Sequence, residues 1–233
     1  MPNLCKAARC VLCAPSHPLS NTMMKRAFTF VEIMFVVLIM GFVSVGMYQF
    51  IVDSSKVLFV STEKNDIVSN IRQFSGEMHS VAKSANVAYV YSTFNLADRN
   101  AANDRLNDGL SGNCVIFISL QADANPLNPD LITKIVGYFL TPDATGAGAL
   151  KKFTLTYPGG VNSVTNTPES LMAGISPTSS TNKDVIQMVQ GLSSGKLFYN
   201  YRDRSVMVKA RFIQGNKAKR VTSAYNFTIS PRG

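Results

Sequence analysis

The chain has 233 residues, of which 46% are hydrophobic and 16% charged, with a near-neutral mean hydropathy of +0.09. That balance is too apolar for a disordered polypeptide and too polar for a protein that crosses a membrane many times. The length suits one domain with an appendage, and the formal charge of +9 drops to about +5 without Lys6, Arg9, Lys25 and Arg26, the cations of an N-terminal stretch lacking Asp and Glu. An excess of that size is ordinary surface charge rather than a nucleic-acid stripe, and no nucleic-acid partner is expected.

Residues 1–27 read as a leader peptide. Three of the four cysteines, Cys5, Cys10 and Cys13, fall within it. Cys10 and Cys13 have C-x-x-C spacing, but without a second ligand pair they make no metal or redox site. Met23 or Met24 is an alternative start that would leave only a short basic leader. From Phe28 to Val52 the sequence is FTFVEIMFVVLIMGFVSVGMYQFIV, long enough as a helix to cross about 30 Å of hydrocarbon. Lys25 and Arg26 stand directly before it, which predicts a cytoplasmic N-terminus and an exported C-terminal part. A cleaved secretory signal would have a shorter apolar region ending in a small-x-small site. A lipoprotein signal would place a small residue before Cys13, where Val11 and Leu12 stand.

Glu32 is the one acidic residue in that span. A carboxylate buried in hydrocarbon costs a few kcal/mol and needs a partner. The alternative is a Glu at a helix start that snorkels to the interface and is stabilised by the helix dipole. Lys25-Arg26-Ala27 followed by Phe28-Thr29-Phe30-Val31-Glu32-Ile33-Met34 resembles the cleavage and methylation signature of type IV prepilins and type II secretion pseudopilins. The resemblance covers roughly the first 40 residues after the cut. It implies cleavage between Ala27 and Phe28 by a membrane prepilin peptidase, N-methylation of Phe28, and pairing of Glu32 with the terminal amine of a neighbouring subunit during assembly. Two departures stand out: Ala27 replaces the usual Gly, and no proline lies between Pro18 and Pro126 to kink the helix.

Beyond the span, Val57, Val60, Ile67, Ile71, Phe74, Met78, Val81 and Ala85 recur at three- and four-residue steps, the stripe of a helix lying on a core. The spacing predicts one helix from Phe28 to about Val87, with 53–90 as the extension of the membrane segment 28–52. His79 on this helix reads as solvated or capping rather than as a ligand. After a polar loop at Asn95 to Asn113, strand patterns follow at Cys114 to Leu120, Ile132 to Leu140, Phe153 to Tyr157, Lys196 to Tyr201, Ser205 to Ile213 and Ala224 to Ile229. The last two alternate about Gln214-Gly215-Asn216-Lys217 and predict an antiparallel hairpin. Pro158 to Lys183, rich in Gly, Pro, Ser, Thr and Asn, reads as a long surface excursion.

The expected fold class is therefore α+β, pilin-like: a long N-terminal helix, membrane-spanning in its first half, packed on an antiparallel β-sheet in an exported domain over 91–233. The order of elements from Gly191 to Arg232 is faintly similar to J-type minor pseudopilins.

Little in the chain offers chemistry. Gly191-Leu192-Ser193-Ser194-Gly195 fits G-x-S-x-G, but a strand follows it and both histidines, His17 and His79, precede it, so it reads as a turn. Asn103 to Gly109, with Asp123, Asn125, Asn128 and Asp130, supplies oxygen ligands without EF-hand spacing and reads as turn chemistry. Cys114, opening an apolar run, reads as a buried core residue.

No enzyme activity, cofactor or metal is expected. The resemblance implies a structural subunit, a minor one, of a type IV pilus or type II secretion pseudopilus. Its partners would be other pilin or pseudopilin subunits, the prepilin peptidase and an inner-membrane assembly platform, with energy supplied by a separate ATPase. The same anchor displaying a binding module for a surface, a secreted substrate or DNA is the alternative, with Lys217, Lys219 and Arg220 as its candidate patch.

Overall fold

The computed structural model describes residues 29–123, 125, 127–216 and 219–232. The chain divides into two units that meet between Val52 and Asp53. Helix α1, Phe30–Lys83, supplies the described part of the first unit and opens the second. Among the described residues nine strands follow, with a short α-helix among them: β1 Val87–Tyr91, β2 Ser111–Gly112, β3 Cys114–Gln121, β4 Leu131–Pro142, β5 Ala147–Asn162, α2 Pro168–Met172, β6 Lys183–Gly191, β7 Phe198–Tyr201, β8 Ser205–Asn216 and β9 Lys219–Ile229.

All pairings are antiparallel, in the order β1-β3-β4-β5-β6-β8-β7-β2, with β9 on the other edge of β8. The sheet is barrel-like, because its first and last strands approach each other. Leu106 N–H donates to the Val90 carbonyl (2.8 Å) and Asn113 N–H to that of Ser92 (2.8 Å). Such curling satisfies strand edges that would otherwise be open.

One face of the sheet receives α1. Ile67, Ile71, Phe74, Met78 and Ala82 form its buried stripe, packed with Val115, Phe117, Val136, Tyr138, Val208 and Phe212. The expected stripe is thus correct over 67–82, whereas Val57 and Val60 are exposed. The Glu77–Lys152 ion pair ties the helix to β5. The opposite face of β3, β4 and β5 carries a second core of Cys114, Ile116, Ile118, Ile135, Phe139 and Phe153, closed by Tyr91, Phe94 and Met172. Burial on both faces explains why Cys114 to Ile118 is an unbroken apolar run rather than an alternating one.

The helix ends earlier than the 53–90 extension predicted. It stops at Lys83, and the Asn86 side chain accepts from Leu120 N–H (2.6 Å), which turns the chain into β1 alongside β3. Val87-Ala88-Tyr89-Val90-Tyr91 is rich in β-branched and aromatic residues, and sheet pairing prevails there over continuation of the helix. The excursion Pro158 to Lys183 is corrected too: β5 continues to Asn162, and α2 places Glu169 and Met172 in the interior. Strand β6, which no alternation announces, was not expected. The expected β8–β9 antiparallel hairpin is present, with Val206 opposite Ile229 and Val208 opposite Phe227.

Gly137 of β4 lies opposite Phe153 of β5, and a Cβ at Gly137 would lie 2.1 Å from the Phe153 ring. The ring therefore occupies the space a side chain would need. Gly137→Val should cost about 2–3 kcal/mol by forcing Phe153 out of its packing, read as a lower urea midpoint of the whole chain in detergent. A midpoint equal to wild type would contradict this packing.

Candidate functional site

The start of α1 is fixed by two side chains. Glu32 N–H donates to Thr29 Oγ1 (3.3 Å), while Glu32 Oε2 accepts from Thr29 N–H (3.1 Å) and from the Thr29 hydroxyl (3.3 Å). This reciprocal pair is a capping box, T-x-x-E, and it satisfies two of the four backbone N–H groups that a helix start leaves free. It also sets a negative charge at the positive end of the helix dipole. The carboxylate singled out from sequence thus has a partner within its own chain, Thr29. Ala27 and Phe28, the expected cleavage and methylation positions, lie outside the described residues.

After this cap, every Val, Ile, Leu, Met and Phe from Phe30 to Ile51 is more than half exposed. Within α1 an 18-residue window reaches a mean hydropathy of 2.4, and none of that window is buried. A helix that is apolar on every side needs an apolar surrounding. This one is long and apolar enough to cross a membrane.

The second unit holds a polar network that the sequence did not reveal. Glu169, 1% exposed, accepts from the Tyr91 hydroxyl (2.6 Å) and from Arg105 through Nε (2.7 Å) and Nη2 (3.0 Å). Arg99, equally buried, donates to the main-chain carbonyls of Phe94 (2.9 Å), Met172 (2.7 Å) and Ile175 (2.7 Å). Together the two arginines fasten α2 and the chain after it over the second core. The signal was present in Thr167-Pro168-Glu169: Thr167 is the N-cap, its Oγ1 accepting from Ser170 N–H (3.3 Å), and Pro168 opens the helix. Nothing in the local pattern showed that its first turn faces inward.

The remaining sequence candidates are structural in their surroundings. Burial pushes the Cys114 thiol up to about 12, with Arg99 opposing the shift, so the thiolate is suppressed. Ser193 and Lys196 exchange backbone hydrogen bonds (3.2 and 2.9 Å) around Ser194 and Gly195, whose φ angles are 54° and 76°; G-x-S-x-G here is a tight hairpin turn. His79 is exposed, contacts the Ser75 carbonyl through Nδ1 (2.7 Å) and stacks on Phe227. In the oxygen-rich stretch, Asp104 accepts from Asn100 and Ala101 N–H (2.7 and 2.8 Å), and Asp123 accepts from Asn125 N–H (2.9 Å). Among the described residues, no three His, Cys, Asp or Glu side chains gather as a metal site would require. Of the basic cluster, Arg220 is exposed beside Lys56 and Phe59, Lys217 lies outside the described residues, and the Lys219 side chain is not described.

Comparison with known proteins returns no match, whether to family models, curated proteins or solved structures.

Burial works to raise the Glu169 carboxyl, but the hydrogen bonds from Arg105 and Tyr91 outweigh it and hold it below the usual carboxylate range. A carboxyl lowered on folding stabilises the fold fully above its unfolded value and loses that contribution as pH falls through the lowered folded value. The urea midpoint should therefore fall on acidification through and below the ordinary carboxylate range. Glu169→Gln should lose about 3 kcal/mol at neutral pH, because Arg105 keeps some access to water, and should show a shallower acid dependence. A neutral-pH midpoint unchanged by the substitution would contradict the fastening role.

Proposed function

We propose that this chain is a structural subunit, a minor one, of a type IV pilus or type II secretion pseudopilus, anchored by α1 in the inner membrane with its sheet unit on the extracytoplasmic side. The observation that carries the reading is the start of α1: a capped carboxylate at the head of an apolar helix that finds no burial within its own unit. The basic leader and the motif from Lys25 to Met34 support it from the sequence.

In this reading a prepilin peptidase cuts between Ala27 and Phe28, and Phe28 is N-methylated. The inner-membrane assembly platform then moves the helix from lipid into a bundle of neighbouring helices. Leaving lipid for protein changes little for the apolar side chains, which are surrounded by hydrocarbon in both states. Glu32 supplies the directional term. Its carboxylate exchanges the weak internal cap for a neighbour's terminal ammonium, a charge pair worth more in a low-dielectric bundle than at a wet interface. The subunit's own work is packing and register, with no reaction catalysed and no cofactor held.

The experiment separates cap from charge. Glu32→Ala and Glu32→Gln should both be processed and inserted but should enter filaments at least about tenfold less, since each removes the charge. Thr29→Val, which keeps the charge and loses the capping hydroxyl, should weaken only the helix start, by about 1 kcal/mol. Co-purification of epitope-tagged variants with sheared filaments reads the difference; normal incorporation of Glu32→Ala would overturn the pairing.

A further inference from the structure

Beside the Glu169 network, the second unit has a cleft of about 460 Å³ between β1, the 102–107 loop and the β7–β8 turn. Its lining divides by chemistry. Ala88, Tyr89, Ala102 and Leu106 contribute small apolar and aromatic surface, while Asn103, Asn107, Asn200 and Asp203 contribute amides and one carboxylate. Arg105 also reaches the cleft, but both of its bonding nitrogens are held by Glu169 and its guanidinium lies 3.9 Å over the Tyr89 ring.

Two members of the polar side, Asn200 and Asp203, are held in place by the fold. Asn200 is 9% exposed, and its amide nitrogen donates to the Leu106 carbonyl and to Asp203 Oδ1, both at 2.7 Å. Its backbone N–H and carbonyl are both bonded to the 109–110 segment, Asn200 N–H to the Leu110 carbonyl (2.9 Å) and Gly109 N–H to the Asn200 carbonyl (3.1 Å). Arg202 and Asp203 both adopt positive φ, 56° and 52°, as the central residues of the tight turn that joins β7 to β8. The Asp108 carboxylate, accepting from Arg202 N–H, ties that turn to the neighbouring loop.

We infer that this cleft binds a neutral sugar of hexose size. The charge balance rules against an anion: Arg105 is already neutralised, and Asp203 adds a negative charge at the rim. The volume suits a small ligand, and a mainly polar lining with a smaller apolar part can orient it. The exposed Asn103 and Asn107 amides and the Asp203 carboxylate offer donors and acceptors to adjacent hydroxyls, and the Ala88, Ala102 and Leu106 surface suits the C–H face of a pyranose ring. The inference is independent of the assembly reading and would hold equally if the helix served only as an anchor.

The test uses the whole chain in lipid nanodiscs, since a sugar-headed detergent would compete. The probes are methyl β-glucoside, methyl β-galactoside and N-acetylglucosamine, with glucuronate as the anionic comparison, followed by saturation-transfer NMR and calorimetry. At least one neutral probe should bind saturably, with a dissociation constant at or below about 1 mM. The Asn103→Ala/Asn107→Ala double variant should weaken it at least about tenfold. Both side chains are exposed and make no hydrogen bond to the fold among the described residues, so the urea midpoint should stay at wild type. Absence of saturable binding by any neutral probe up to about 20 mM, tighter binding of glucuronate, or wild-type affinity in the double variant would each overturn the inference.

Discussion

The first 22 residues of α1 present apolar side chains in every direction, and water is a poor solvent for all of them. Each Val, Leu, Ile, Met or Phe removed from water is worth about 1.5–3 kcal/mol, so the segment as a whole favours an apolar surrounding by tens of kcal/mol. Against this, one carboxylate costs a few kcal/mol in hydrocarbon. The apolar term wins by about an order of magnitude, and the capping box lowers the cost further by meeting the carboxylate with two donors from Thr29. The apolar composition of this helix sets the surrounding it needs, and Glu32 sets how its start is arranged.

The second unit solves a different problem. A sheet buried on both faces needs two covers, and the chain supplies one of each kind. On one face, the 67–82 stripe of α1 is a large, regular apolar cover secured by area. On the other, the stretch around α2 is too short and polar to be secured by area alone, and it is pinned by Arg99, Arg105 and Tyr91 acting on Glu169 and on carbonyls near the end of α2. Buried charges are tolerated because each is met by several partners, and removing one partner leaves the others costly to keep. The same segment that fastens this cover, 99–107, forms one wall of the polar cleft, so the network also fixes Arg105 and Leu106 in place there.

What the sequence disclosed follows from where periodicity exists. The all-round apolar span, the 67–82 stripe and the β8–β9 alternation are local patterns, and each is found in the fold. Val87 to Val90 follow the helical stripe without a proline or glycine to stop it, and it is pairing with β3 that makes them a strand. β6 was missed because Lys183, Asp184 and Gln187 face outward and break its apolar pattern. Glu169 and Arg99 were invisible because a buried ion network is assembled from residues some 65 to 75 positions apart, and no local rule distinguishes such a Glu from a solvated one. Glu32 was legible as unusual, while its capping geometry also needed Thr29, already present in the motif but not read as a cap.

The central claim is that the chain's working form begins at Phe28 with an apolar helix. Intact-mass and N-terminal peptide mass spectrometry of the chain purified from its native membrane tests it most directly. The account predicts a terminal peptide that starts at Phe28 and is heavier by one methyl group, about 14 Da, the increment of N-methylation that the motif implies. A mature chain retaining Lys25, Arg26 and Ala27, or one cut after the apolar span near Val52, would contradict it.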